Sequence, residues 1–87
     1  MAVHTGRFAL EKDKPTPGPK NGKPGPFTVV AYPRNKGSVT ITTKDGDFIV
    51  ILDGVFTRNA KLDKPLDQFR FLAEEDGDEV CWFWSES

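Results

Sequence analysis

The stretch "DQFRFLAEEDGDEVCWFWS", residues 67–85, decides how this chain folds. It gathers Val80, Cys81, Trp82, Phe83 and Trp84 into one apolar run near the C-terminal end. Two readings compete for it. Leu62, Leu66, Phe69, Leu72 and Ala73 recur at helical spacing, with Asp63 as a cap and Pro65 tolerable in the first turn. Such a helix would put Glu74, Glu75 and Asp76 at the unfavourable end of its dipole and turn Phe71 to the wrong side. The other reading is a hairpin turning at Asp76-Gly77, since Asp-Gly suits a tight reversal that needs positive φ. It would pair Ala73 with Val80, Leu72 with Cys81, Phe71 with Trp82, Arg70 with Phe83 and Phe69 with Trp84. Phe69, Phe71, Ala73, Val80, Trp82 and Trp84 would then share one face, and Arg70 would lie over Phe83 on the other. The period of two favours the hairpin.

A second Asp-Gly, at 45–46, sits inside "SVTITTKDGDFIVILDG", residues 38–54. A two-residue turn there pairs Thr43 with Phe48, Thr42 with Ile49, Ile41 with Val50, Thr40 with Ile51 and Val39 with Leu52. Val39, Ile41, Phe48, Val50 and Leu52 become the core face, while Thr40, Thr42, Ile49 and Ile51 form a semi-apolar second face. "PFTVVAYP" reads as a further strand between prolines, and "HTGRFAL" as a first strand with Phe8 and Leu10 on one side. "GVFTRN" is expected to continue as strand after Gly54, and "NAKLDKP" to be a connection with room for a helical turn. The expected fold is therefore all-β. It is a small single-domain barrel or compact sandwich of five to seven mostly antiparallel strands spanning residues 1–87. Residues 11–26, "EKDKPTPGPKNGKPGP", hold five prolines and no large apolar side chain, and are expected to be an exposed, basic Pro/Gly-rich loop or arm.

The formal net charge of −1 conceals a strong asymmetry. Residues 1–44 carry eight Lys or Arg against two acids, and residues 45–87 carry four against eleven. The charges either segregate into a bipolar surface or interleave across paired strands. A single cysteine excludes an intrachain disulfide, "MAVHTGRFAL" does not read as a secretory leader, and "FIVIL" is too short to span a bilayer. A cytoplasmic protein without membrane association is expected.

Catalytic chemistry finds little footing. The carboxylates cluster at turns, where solvent claims them, and "DGD" and "EEDGDE" lack the spacing of a calcium loop. His4 has no partner for a triad, and Cys81 lies among aromatics with nothing nearby in sequence to lower its pKa. "GPKNGKPG" is not a phosphate loop. No enzyme activity, metal or cofactor is expected. The expected function is instead a protein–protein interaction module. It would be a small accessory, inhibitory or assembly protein that self-associates, of a size common among virus-encoded proteins. Its partner-binding residues would be Lys20, Lys23, Arg34, Lys36, Ile49, Ile51 and Phe83, because "FIVIL" and "CWFW" are apolar on both faces. The alternative is single-stranded nucleic-acid binding, with Arg7, Lys20, Lys23, Arg34, Lys36 and Lys44 on phosphate and Tyr32 stacking on bases.

Overall fold

Alternation of apolar and polar residues over short segments, broken by Gly, Pro and Asp, yields strands rather than helices along this chain. The computed structural model describes residues 3–85. Among them are eight strands: β1 (Val3–Ala9), β2 (Thr16–Pro17), β3 (Phe27–Ala31), β4 (Val39–Thr43), β5 (Phe48–Leu52), β6 (Asn59–Leu62), β7 (Phe69–Ala73) and β8 (Glu79–Ser85). A single 3₁₀ turn, Leu66–Gln68, leads into β7. The strands form two four-stranded antiparallel sheets, ordered β1-β8-β3-β6 and β2-β7-β4-β5, and the sheets do not close into a barrel. Phe27, Val29, Leu62 and Val80 of the first sheet meet Val39, Ile41, Leu52, Phe69 and Phe71 of the second in one buried core.

The stretch 69–85 does form two strands, but they do not pair with each other. β7 lies between β2 and β4, whereas β8 lies between β1 and β3. The expected pairs across Asp76-Gly77 are absent, and the segment arches from one sheet to the other. The segment that follows β1 binds the arch and the end of β7. Leu10 donates its N–H to the Asp78 carbonyl (2.8 Å) and accepts from the Gly77 N–H (3.0 Å), while Asp13 donates to the Ala73 carbonyl (3.1 Å). The single shared face is therefore absent, but the same residues still point inward, from two opposed sheets: Phe69, Phe71, Ala73 and Val80 are buried, and Trp82 and Trp84 pack against the core. These side chains meet across the core, which removes more apolar surface from water than one ribbon face would. Arg70 does not cover Phe83; its guanidinium donates to the Asp67 and Phe69 carbonyls, both at 3.0 Å.

The hairpin β4–β5 forms with one alteration. Gly46, at φ +95°, closes a three-residue loop in which Gly46 N–H donates to the Thr43 carbonyl and Thr43 N–H to the Asp47 carbonyl. Thr42 therefore faces Phe48 rather than Ile49. A bulge then restores the expected pairs Ile41–Val50, Thr40–Ile51 and Val39–Leu52. Phe48, expected in the core, is thrown onto the outer face and is 63% exposed. Two further expectations are corrected: residues 53–58 form a loop rather than strand, and Asn59–Leu62 is strand β6 rather than a connection.

The Pro/Gly segment 11–26 is not free along its length. Thr16 and Pro17 pair with Phe71 and Arg70 at the edge of β7, and Gly18 is buried. A Cβ on Gly18 would collide with the Leu66 carbonyl, so glycine is what lets the two backbones touch.

Candidate functional site

Successive strands run in opposite directions, so their connections gather at two ends of the sandwich. One end holds the loops 32–38 and 53–58 and the turn 74–78. The other holds the loop 18–26, the turn 44–47 and the link 63–68. This divides the expected cations. Arg7, Arg34 and Lys36 belong to the first end, with Tyr32 under the Arg7 guanidinium at 4.9 Å. Lys20, Lys23 and Lys44 belong to the second; the Lys23 ammonium lies 5.1 Å from the Trp84 ring, and Lys44 N–H donates to Gln68. The seven residues of the nucleic-acid set are thus split across the molecule.

The charges interleave at the first end. Glu79 pairs with Arg7 (3.4 Å), and Asp76 accepts from the Lys12 N–H. Asp78, only 4% exposed, accepts from the N–H groups of Lys36 (2.9 Å) and Gly37 (2.9 Å). Glu74 accepts from the Ser38 hydroxyl and N–H, and these bonds, the hydroxyl first, hold its carboxyl below the ordinary range. Asn35 acts as a false strand, donating to the Glu79 carbonyl (2.8 Å) and accepting its N–H (2.7 Å). The acids of 74–79 therefore fasten the loop that carries Arg34 and Lys36. Asn35 and Asp78 are absent from the expected site, because nothing in the order of residues places 78 beside 36.

The apolar surface is more concentrated. Cross-strand partners share a face, so Leu72, Thr40 and Ile51 form one row on the outer side of the second sheet. Arg70, Thr42 and Phe48 form the next row. The bulge is what allows Phe48 and Ile51, three positions apart, to project from the same side. Ile49 and Ile51 are exposed, as expected. Phe83 is exposed on the outer side of the first sheet, between Thr5 and Thr28.

β5 is also an edge, and the four edges differ in how they are protected. β2 is two residues long and ends on Pro17, β6 is four residues with Lys61 on it, and β1 carries Arg7. Short length, proline and charge are the usual defences of an open edge. β5, Phe-Ile-Val-Ile-Leu, has none of these.

Beyond β5 stands a preorganised tip. The Asp53 carboxylate accepts from the N–H groups of Val55, Phe56 and Thr57, each at 2.9 Å. Those bonds, that of Thr57 foremost, lower its pKa. Gly54, at φ +78°, donates to the Thr57 carbonyl and tightens the loop. The loop presents Val55, 69% exposed, and Phe56, 92% exposed. Sequence reading missed this tip by extending a strand through it. The visible signal was Asp53-Gly54, since an aspartate before an apolar pair commonly bonds the backbone just ahead of it. Behind the tip, an open cleft of about 400 Å³ is lined by Tyr32, Pro33, Asn35, Asp53 and Arg58. At the far end of β5, a depression of about 140 Å³ is lined by Lys44, Asp45, Asp47, Lys64, Gln68 and Phe69.

The described residues hold no cluster of three His, Cys, Asp or Glu able to ligate a metal, and no helix long and apolar enough to cross a membrane. Burial raises the Cys81 thiol pKa, with Arg7 opposing and Glu79 adding to the shift. Comparison with known proteins gives no matching family model, no matching curated relative and no matching solved structure.

Proposed function

We propose that this chain is a non-catalytic protein-interaction module that self-associates, with β5 as the edge that accepts a partner strand. The observation that supports the reading most is that β5, although bulged at Ile49, is the one of the four described sheet edges without proline, charge or shortness to protect it. Phe48, Ile49 and Ile51 add apolar contact beside the open backbone groups. Lys20 and Lys23 lie at the other end from the tip and Phe83 on the other sheet, while the loop of Arg34 and Lys36 faces the tip across the cleft; none of the five is on β5 itself. Such a module suits an accessory or assembly component. The nucleic-acid reading receives less support, because its cations lie at opposite ends and Arg34 and Lys36 stand among the acids of 74–79.

Sedimentation equilibrium from low to high micromolar concentration is the test. The native chain is expected to form a concentration-dependent oligomer. Ile51→Lys is expected to weaken it without lowering the melting temperature measured at concentrations where the chain is monomeric, since Ile51 is exposed there. A 9.7 kDa monomer at every concentration would refute the proposal.

A further inference from the structure

Resting on that self-association reading, we infer that two copies join through antiparallel pairing of β5 about a two-fold axis near Val50. Phe56 of each copy then enters the depression beside the 44–47 turn of the other.

The inference comes from what stands at the two ends of β5. Beyond its C-terminal end lies the Val55–Phe56 tip, held in one conformation by three N–H bonds to Asp53. No described residue covers Phe56, the most exposed of the large apolar side chains described. An aromatic anchor held rigid before binding loses little conformational freedom when it docks. Before the N-terminal end of β5 lies the depression floored by Phe69 and walled by Lys44 and Lys64. Val50 is the middle residue of Phe48–Leu52. The 53–58 loop leaves one end of β5 and the 44–47 turn enters the other. Antiparallel pairing centred on Val50 therefore brings the tip of one copy to the depression of the other, and the two-fold axis repeats the contact. The aliphatic stems of the lysines suit an aromatic ring, and their ammonium groups can meet its face.

Charge agrees with this direction. Asp45 and Asp47 flank the depression, and Arg58 follows the tip. Parallel pairing in register would set Asp45 and Asp47 of one copy beside Asp45 and Asp47 of the other, which antiparallel pairing avoids. Asp53 also comes near the other copy's Asp47, but its carboxylate already accepts three N–H groups. The same pairing joins Phe48 and Ile51 of both copies into one apolar strip. A second copy is the occupant that this combination of tip, edge and depression fits, since both complementary halves belong to the same chain.

Cross-linking between two different single-cysteine variants tests the geometry. In a Cys81→Ser background, Val55→Cys and Asp45→Cys are prepared separately, mixed, and treated with a short bismaleimide. The pairing sets the tip at position 55 of one copy near the 44–47 turn of the other. It puts the two copies' positions 55 beyond opposite ends of the paired strands. The expected result is a covalent dimer in the mixture and none from either variant alone. In parallel, Phe56→Ala is expected to weaken dimerisation about tenfold or more. Its melting temperature in dilute, monomeric solution should not change, because Phe56 is exposed in the single chain. If no variant and no native chain dimerises, the self-association reading falls and this inference with it. If dimers form but Val55→Cys links to itself, or the mixture does not link, self-association stands and the antiparallel β5 geometry is overturned. If Phe56→Ala dimerises as tightly as the native chain, the anchor is overturned while the edge pairing stands.

Discussion

Asp78 offers the sharpest test of how the tertiary arrangement is held. It is a nearly buried carboxylate in the arch between the sheets, and both of its oxygens face the backbone of another loop. Lys36 N–H reaches Oδ1 at 2.9 Å and Oδ2 at 3.1 Å, and Gly37 N–H reaches Oδ2 at 2.9 Å. A hydrogen bond to a charged group contributes about 1.5–3 kcal/mol net. Asp78→Ala removes the acceptor for two donors and leaves both N–H groups in a half-buried place, so a loss of about 3–5 kcal/mol is expected. Asp78→Asn keeps one carbonyl oxygen in position and should lose about half as much. A domain of this size has a total stability of about 4–13 kcal/mol, so the alanine variant should be severely weakened. Urea unfolding followed by the fluorescence of Trp82 and Trp84 measures it. At an m-value of about 1–1.5 kcal/mol per molar, the alanine midpoint should fall by about 2–4 M with m unchanged. A fall in stability below about 0.5 kcal/mol for Asp78→Ala would refute the view that this carboxylate ties the 33–38 loop to the arch. Equal stability of Asp78→Asn and the native chain would show that the second oxygen and the charge contribute nothing.

Two further outcomes follow from local geometry. A Cβ on Gly6 would stand 2.6 Å from the Trp82 indole nitrogen, so Gly6→Ala should cost about 1–3 kcal/mol by overpacking, read as a lower melting temperature. Adding Trp82→Leu, which removes the obstructing ring, should make the alanine at 6 harmless; equal sensitivity in both backgrounds would sink the packing argument. The depressed pKa of Asp53 means that its stabilisation of the tip is fully present above the ordinary aspartate value of 3.8 and is lost as pH falls through the lower folded value. Protection factors against amide exchange at Val55, Phe56 and Thr57, taken relative to the intrinsic rate at each pH, should therefore fall selectively in that acid window, and Asp53→Asn should abolish most of the selectivity. Protection factors independent of pH would contradict the assigned bonds.

Sequence alone determined which residues face inward along most of the strands. Phe69, Phe71, Ala73, Val80, Trp82 and Trp84 were legible as inward-facing because side chains alternate with a period of two whatever the strand pairs with, although they lie on two opposed faces rather than one. The outer pairs of β4–β5 were legible for the same reason, and so was the exposure of Ile49 and Ile51 on a strand apolar on both sides. Partner choice was decided only in three dimensions. The Asp-Gly at 76–77 permits a sharp reversal, but it does not specify whether the chain returns within a sheet or crosses to another. The crossing prevails because Leu10 takes the N–H and carbonyl groups of the arch, and β1, β3, β2 and β4 occupy both sides of the two strands. The bulge that exposes Phe48 and the Asp53 bonds that raise Phe56 into solvent are likewise shifts of a single residue or a few hydrogen bonds. The apolar period averages over such details, whereas a binding surface is made of them.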